Sequence, residues 1–185
     1  MPVITVDYPK GKFSPGQRDA LAEAMTQVIL QIEGGADTPA GRSIAWVKFN
    51  EIDREDWYIG GDNSTGFEGA AGKFFVELNV PEGSMDQARK SECHQAIFSA
   101  LLDATGTTDI EGAAQSIFIQ IVEWPEGHLA ANGKTSSLLG IARQAGIPAN
   151  HSLLKFPRAY FEAKDRLYDL AEFPDKTAGR ALVRY

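Results

Sequence analysis

The chain begins with Met1-Pro2-Val3-Ile4-Thr5-Val6, and the rest of the sequence is interpreted from this stretch outward. Apolar and polar side chains alternate through residues 2–8, which predicts a strand with one apolar face. Removal of Met1, which a small second residue allows, would leave Pro2 with a free secondary amine. An α-amino group titrates near pH ~8, and burial beside apolar side chains lowers its pKa. Pro2 is therefore a candidate general base, the alternative being that it only protects the terminus from trimming.

Length, composition and charge exclude several classes of protein. The chain has 185 residues, 43% of them hydrophobic, which is enough for a sizeable core in one domain or two small ones. A net charge of −7 argues against nucleic acid or an anionic membrane surface as the partner. The sequence has no long apolar run and no signal-peptide pattern, so we expect a cytoplasmic protein. We expect neither a metal nor a cofactor, and we expect the single cysteine, Cys93, to be a core residue.

A strand-helix-strand unit follows from the first stretch. Ser14-Pro15-Gly16-Gln17 is a capping box with proline at the first helical position, and Gly34-Gly35 is a plausible stop for the helix. The segment from Ser43 to Glu51 is rich in Ile, Val, Trp and Phe and predicts the second strand. The two strands should be parallel, with a right-handed connection.

The next segment repeats this plan. Lys73 to Val80 predicts a strand, Ser84-Met85-Asp86-Gln87 a second capping box, the following helix runs to Gly106, and Gln115 to Glu123 predicts a fourth strand. One offset of 72 residues aligns five pairs: Pro9 with Pro81, Gly11 with Gly83, Glu51 with Glu123, Gly61 with Gly133, and Ser64 with Ser136. We interpret this as an internal duplication, with two unrelated units as the alternative.

The residues resemble the tautomerase superfamily, whose founding member is 4-oxalocrotonate tautomerase, and in particular its longer members with two fused βαβ units. The resemblance rests on Pro2 opening a strand, on the helix start at Ser14, and on the segment Asn50–Gly61 after the second strand. It covers about residues 2–134.

The resemblance implies an α+β fold in which two tandem βαβ units, residues 2–61 and 74–133, join antiparallel into a four-stranded mixed sheet with two helices on one face. It also implies a tautomerase-like domain over residues 1–134, assembly into a homotrimer, and chemistry in which Pro2 moves a proton of a keto-enol acid. A trimer is also expected because sheet edges and an apolar sheet face would stay uncovered by one layer of helices.

The resemblance assigns roles residue by residue. Pro2 matches the catalytic proline, Lys12 an arginine that binds a substrate carboxylate, and Trp57 a phenylalanine that forms an apolar wall beside the proline. A second carboxylate-binding arginine of the family is matched by Trp46, which is a departure. The candidates for a replacement cation are Lys48, Lys73, Arg42 and Arg54.

The second repeat implies one working site per chain. Phe74 occupies the position of Pro2 in the middle of the chain, where the backbone nitrogen is an amide and cannot be a base. Leu129 stands where Trp57 stands in the first repeat, so the second site also lacks its aromatic wall.

Residues 135–185 form a C-terminal extension beyond the resemblance, with helical patterns around Leu138–Ala145 and Arg158–Phe173. Residues 1–134 carry 10 basic and 20 acidic side chains, whereas the extension carries 8 basic and 5 acidic ones. The opposite charges predict that the extension docks on its own body or on a neighbouring subunit. The alternative is an arm that binds another partner.

Three functions follow. The first is a tautomerase that uses Pro2 as general base or acid on a small anionic carbonyl acid. The second uses the same proline to hydrate, dehalogenate or decarboxylate a small unsaturated or semialdehyde acid, which for hydration or dehalogenation needs a carboxylate to activate water. The third is a non-enzymatic trimeric scaffold or ligand-binding protein.

Overall fold

The computed structural model describes residues 2–32, 37–108, 114–177 and 179–180. The strands are β1 (Val3–Pro9), β2 (Trp46–Ile52), β3 (Phe74–Pro81), β4 (Ile117–Trp124), β5 (Leu129–Ala131) and β6 (Lys134–Ser136). The helices are α1 (Pro15–Ile32), α2 (Pro39–Ser43), α3 (Gln87–Thr105), α4 (Leu138–Gln144) and α5 (Lys155–Leu170). Short 3-10 helices cover Arg54–Asp56, Ala114–Ser116 and Ser152–Leu154. Met1 and the predicted Gly34-Gly35 stop lie outside the described residues.

The first predicted capping box is present and the second is not. Gln17 N donates to Ser14 Oγ over 3.3 Å, and Ser14 N donates to Gln17 Oε1 over 3.0 Å. At the start of α3, however, the cap is Asp86, whose carboxylate accepts from Arg89 N over 2.9 Å. Ser84 is therefore left without a capping role, because Asp86 is an equally good cap two residues later. The helix stops at Gly106 as predicted, in the left-handed conformation with φ +67°.

The start of β2 differs from the prediction. Thr38 Oγ1 accepts from Gly41 N over 3.1 Å and caps a short helix that begins at Pro39 and ends at Ser43. The predicted strand residue Ser43 therefore belongs to α2, and the strand begins at Trp46.

The four long strands form one mixed sheet in the order β2-β1-β3-β4. β1 pairs parallel with β2, β3 pairs parallel with β4, and β1 joins β3 antiparallel, with Val3 opposite Asn79 and Asp7 opposite Phe75. The antiparallel junction brings the start of each repeat's first strand beside the end of the other repeat's first strand. The predicted fold class is confirmed.

The core lies between one face of the sheet and helices α1 and α3. Alternate residues of the central strands point into it, including Ile4, Val6, Tyr8, Phe74, Val76 and Leu78. Leu21 and Met25 of α1 and Ile97 and Leu101 of α3 cover them. Cys93 is buried in the same cluster, as predicted.

The opposite face of the sheet, which carries no helix of the described chain, is of mixed character. Asn50 Nδ2 donates to Asp7 Oδ1 over 2.8 Å, and Gln120 Nε2 donates to Glu77 Oε2 over 2.7 Å. Phe118, 61% exposed, stacks on Phe75 of the neighbouring strand with ring centroids 5.6 Å apart. The face is thus not the apolar surface that the sequence led us to expect.

The C-terminal extension packs on its own chain. Tyr160 Oη of α5 donates to Glu82 Oε1 over 2.6 Å, and Lys164 Nζ donates to the same carboxylate oxygen. The Tyr160 ring also lies over Gly83, where a Cβ atom would stand 2.4 Å from Tyr160 Cδ1. The β5–β6 hairpin crosses the boundary between residues 134 and 135, where the sequence predicted that the extension begins.

The described residues contain neither a candidate membrane-spanning helix nor a candidate metal-binding cluster. None of the described helices is both long and apolar enough to cross a bilayer. In the same ranges, no three His, Cys, Asp or Glu side chains converge on a point where they could hold a metal ion.

Candidate active site

Pro2 lies buried where β1 begins, and its position is fixed by the sheet. Its carbonyl oxygen accepts from Trp46 N over 3.2 Å, the first contact of the β1–β2 pairing. Pro2 lines a cavity of about 50 Å³. The residue that the sequence singles out as a base is therefore buried at the edge of this cavity.

Aliphatic side chains form most of this cavity, which we call the Pro2 cavity. The body contributes the C-terminal part of α1, the residue that follows α2, and the end of β3, represented by Ile29, Leu30, Ile44 and Pro81. The extension supplies the facing wall, chiefly Leu138, Ile141, Ala142, Ala145, Leu154 and Pro157. The extension thus closes the space above Pro2 within the same chain.

Ser84 is the one residue with a polar side chain among the described residues that line the Pro2 cavity. It is 9% exposed, and its Oγ finds no hydrogen-bond partner in the described part of the chain. Its backbone is fixed, because Ser84 N donates to Pro81 O over 3.2 Å. A buried hydroxyl without a partner costs free energy, so its presence in a cavity calls for an explanation.

A charged cluster fastens the extension beside the Pro2 cavity. Burial raises the pKa of the Glu82 carboxyl, but hydrogen bonds from Lys164 and Tyr160 outweigh it, and the net pKa lies below the ordinary value of 4.5. Burial, together with the adjacent Glu82 carboxylate, raises the pKa of Tyr160. Glu82 is therefore held as an anion. Nearby, the buried Glu126 accepts from Leu138 N over 3.1 Å and ties the start of α4 to the body.

Lys12, Trp57 and Lys73 lie at the other end of the sheet. Lys12 N donates to Pro9 O, and its Nζ lies 2.9 Å from where a Cβ of Gly72 would stand. Since β1 has 7 residues and a strand rises about 3.3 Å per residue, this end is roughly 20 Å from Pro2. The structure does not bring Lys12 or Trp57 to Pro2 within one chain.

Lys73 has a specific place at this end. It is 1% exposed, its Nζ donates to Trp57 O over 2.9 Å, and the ammonium lies 5.9 Å from the centre of the Trp57 ring. These contacts hold the segment after β2 against the start of β3.

The other candidate cations are also placed away from Pro2 or are already paired. Arg54 Nη1 lies 2.6 Å from Glu68 Oε2, near the Lys73 end. Arg42 is paired with both Glu23 and Asp37 on the surface. Lys48 is exposed in the middle of β2, opposite Thr5. Their predicted roles in substrate binding stay predictions.

The internal duplication explains this division. Under the 72-residue offset, Lys12 corresponds to Ser84 and Pro2 to Phe74. Because β1 and β3 run antiparallel, the turn after each strand lies beside the start of the other strand. Pro2 and Ser84 of the second repeat therefore line one cavity. At the other end, Phe74 stacks on Phe13, the residue after Lys12, with ring centroids 5.8 Å apart. Sequence reasoning missed Ser84, although the offset and the predicted antiparallel junction together contained the signal.

The comparisons with known proteins agree with this architecture. No family model matches the chain, and no curated protein matches it in sequence. Among solved structures, N1, a member of the cis-3-chloroacrylic acid dehalogenase family, is 16% identical with a TM-score of 0.59, covering 92% of this chain and 99% of its own. A wild-type fused 4-OT asymmetric trimer is 17% identical with a TM-score of 0.58, covering 75% of this chain and 98% of its own.

A third solved structure, of Pt0534 inactivated by 2-oxo-3-pentynoate, is 18% identical with a TM-score of 0.52 and covers 72% of this chain and 94% of its own. At these identities the likeness is one of fold. The sheet order, the antiparallel junction of two βαβ units and these structural matches together show that the chain has the fold of the tautomerase superfamily, in the arrangement of its fused members.

Proposed function

We propose that this protein is a keto-enol tautomerase in which Pro2, freed of Met1, is the general base and acid. The observation that carries the proposal is the burial of Pro2 in a cavity lined mainly by aliphatic side chains. An amine in such surroundings loses hydration of its charged form, which lowers its pKa below the usual ~8. A neutral secondary amine is then available at neutral pH.

The chemistry needs only a carbonyl compound with a hydrogen on the adjacent carbon. The nitrogen of Pro2 takes that proton, and the electron pair of the broken C–H bond moves through the C–C bond to the carbonyl oxygen. The protonated amine then gives the proton to the oxygen, which forms the enol, or back to a carbon, which forms the ketone. No atom is lost, and Pro2 ends the cycle as it began.

The lining of the cavity favours proton transfer over hydration or dehalogenation. Those reactions need a carboxylate to activate water, and no carboxylate is among the described residues that line the Pro2 cavity. The likeness to the solved structure from a dehalogenase family is one of fold. We therefore place the dehalogenase or hydratase alternative second.

We also propose that the protein assembles as a homotrimer. The fused 4-OT structure with this fold is a trimer, and β2 and β4 are the outer strands of the sheet. Trp46 on β2 and Phe118 on β4 are 51% and 61% exposed, which suits burial between subunits. Light scattering at micromolar concentration should give three times the chain mass. A stable monomer would contradict the assembly.

The test of the catalytic role uses two amino-terminal variants. Pro2→Ala, shown by intact mass to lack Met1, keeps an amine of different geometry and should lower kcat for enol-to-ketone conversion by about 10²–10⁴-fold. A protein with a few residues added before Pro2 keeps the ring but turns its nitrogen into an amide, and it should be equally impaired. Parent rates in both variants would refute the proline mechanism and support the scaffold alternative.

A further inference from the structure

We propose that Ser84 is the substrate-binding hydroxyl of the Pro2 cavity, and that the cavity takes a short, uncharged aliphatic carbonyl compound. The proposal rests on the proposed function, because it names the substrate class of the same site. It differs from the anionic acid that the resemblance implies.

The Ser84 hydroxyl is the first feature that supports the proposal. Burying a hydroxyl without a partner costs free energy, and Ser84 Oγ is buried and unpartnered among the described residues. The capping role that would have explained it belongs to Asp86. Ser84 lines the cavity, and rotation about its Cα–Cβ bond would bring the shielded hydroxyl to a ligand oxygen there, since a serine hydroxyl can donate to a carbonyl.

The walls of the Pro2 cavity favour an uncharged ligand. Apart from Ser84, the described residues that line the cavity offer only aliphatic and proline side chains or glycine. Transferring a carboxylate into such a space without a cation is strongly unfavourable, whereas a ketone needs only one hydrogen bond. The cations that the sequence suggested lie at the far end of the sheet or are paired elsewhere.

The size of the cavity points the same way. A water-sized group needs roughly 10–15 Å³ of such space, so a cavity of about 50 Å³ holds about three to five of them. A small ketone such as 2-butanone, with four carbons and one oxygen, is at the upper end of this range. The extension residues Leu138, Ala142 and Leu154 then act as the wall that sets the length of the alkyl chain.

The hydroxyl would also act in the reaction. When Pro2 removes the proton next to the carbonyl, negative charge develops on the oxygen to which Ser84 donates. A hydrogen bond strengthens as its acceptor gains charge, so Ser84 should stabilise the transition state more than the bound ketone. Loss of the hydroxyl should therefore lower kcat as well as weaken binding.

The experiment compares 2-butanone with 2-oxobutanoate, which has the same four-carbon chain but carries a carboxylate in place of the methyl group next to the carbonyl. Deuterium exchange next to the carbonyl, followed by NMR in D2O, gives turnover, and ligand-observed NMR gives binding. We expect kcat/KM for 2-butanone to exceed that for 2-oxobutanoate by at least about tenfold. A preference for 2-oxobutanoate would overturn the substrate assignment.

Two variants test the residues. Ser84→Ala should weaken 2-butanone binding by about 3- to 10-fold and lower kcat further, whereas the control Ser91→Ala, on the exposed side of α3, should match the parent. Ala142→Leu should fill the cavity and abolish binding while the melting temperature stays near the parent value. Unchanged binding in Ser84→Ala would refute the role of the hydroxyl, and unchanged binding in Ala142→Leu would refute the location.

Failure of this inference can be told from failure of the proposed function. If Pro2→Ala loses turnover but 2-butanone neither binds nor depends on Ser84, the proline mechanism stands and the substrate assignment falls. If 2-butanone binds the parent and Pro2→Ala equally, weakens with Ser84→Ala, and never exchanges, the cavity assignment stands and the tautomerase proposal falls.

Discussion

The turns that follow β1 and β3 lie at opposite ends of the sheet, and they differ in sequence and in contacts. Pro9-Lys10-Gly11-Lys12 carries two lysines, and Lys10 pairs with Asp53 at the surface over 3.0 Å. Pro81-Glu82-Gly83-Ser84 carries a carboxylate that binds Tyr160 and Lys164, a glycine under the Tyr160 ring, and a hydroxyl in the Pro2 cavity. The first turn is thus basic, and the end of the sheet where it lies is open to solvent at Lys10. The other end is closed by the C-terminal extension.

The difference teaches how a duplicated fold can keep one site. The closed end holds Pro2, whose nitrogen becomes an amine when Met1 is removed, together with apolar walls that lower the pKa of such an amine. The open end holds Phe74, whose nitrogen is an amide, beside the ammonium groups of Lys12 and Lys73. The extension covers the end where, under the proposed function, exclusion of water favours the neutral amine.

The largest effect on stability should come from closing the space under Tyr160. In Gly83→Ala the new Cβ would stand 2.4 Å from Tyr160 Cδ1 at a φ of +71°. We expect a cost of about 1–3 kcal/mol from the clash, in addition to about 1–2 kcal/mol from the left-handed backbone. The extension should then become sensitive to protease, as limited proteolysis around α5 would show.

Gly11→Ala is the matched control for this change. Gly11 holds the corresponding place in the first repeat with φ +77°, and no heavy atom lies within 4 Å of its added Cβ. Gly11→Ala should therefore lose only the stability that the left-handed backbone costs, without a clash. Equal loss of stability in the two variants would show that Tyr160 does not close the second turn.

The next effect concerns the ammonium at the open end. Lys73→Met should remove the hydrogen bond to Trp57 O and lower the free energy of unfolding by about 1–3 kcal/mol, measured by urea denaturation. Lys48→Met, at an exposed position, should change it little. We expect turnover at Pro2 to be unaffected. A loss of turnover in Lys73→Met, under conditions where the variant is fully folded, would contradict the claim that the two ends of the sheet act independently.

A smaller effect is the pH dependence of the closed end. The pKa of Glu82 in the folded protein lies below its ordinary value of 4.5, so the anion stabilises docking of the extension above that pH. This stabilisation is lost as the pH falls through the lowered pKa. The protection of α5 amides, measured as their exchange rate relative to that of an unstructured peptide at the same pH, should fall in that acid range. Glu82→Gln should already show lower protection at pH 7, with less dependence on pH. If neither acidification nor Glu82→Gln alters the hydrogen-exchange protection of α5, Glu82 does not hold the extension in place.

The smallest effect should be that of Lys12 on catalysis. Lys12→Ala removes a cation at the open end, so kcat/KM for 2-butanone should change less than about twofold, well below the effect of Ser84→Ala. A rise in KM of tenfold or more with unchanged kcat would mean that Lys12 of a neighbouring copy reaches the site, as substrate binding by this lysine would require.

The fold was largely predictable from the sequence, because it depends on local signals. The Ser14 box, the stop at Gly106 and the alternation in β1 and β3 each act within a few residues of one another. Prediction failed at Ser84, where a neighbouring aspartate took the cap. A serine and an aspartate two residues apart compete for one role, and only the geometry of the turn decides between them.

The candidate site was predictable only in part. Pro2 is marked by its position in the chain, but the walls of its cavity come from α1, β3 and the extension, which are far apart in sequence. Lys12 and Trp57 were expected beside Pro2 by resemblance, and the antiparallel junction places them beside Phe74 instead. The extension lies outside the resemblance, so no motif could have shown that it closes the cavity.

The central claim is that the reactive amine of this protein is Pro2 at the closed end. Labelling with 3-pentyn-2-one, the uncharged counterpart of the 2-oxo-3-pentynoate that inactivates Pt0534, tests it most directly. The amine adds to the alkyne carbon farther from the ketone, and its N–H proton moves to the neighbouring carbon, so the adduct is stable and can be located by peptide mass spectrometry. We expect one adduct per chain, on the nitrogen of Pro2 in protein that lacks Met1. An adduct on Lys12 or Lys73 instead, or none on Pro2 in fully processed protein, would contradict the account.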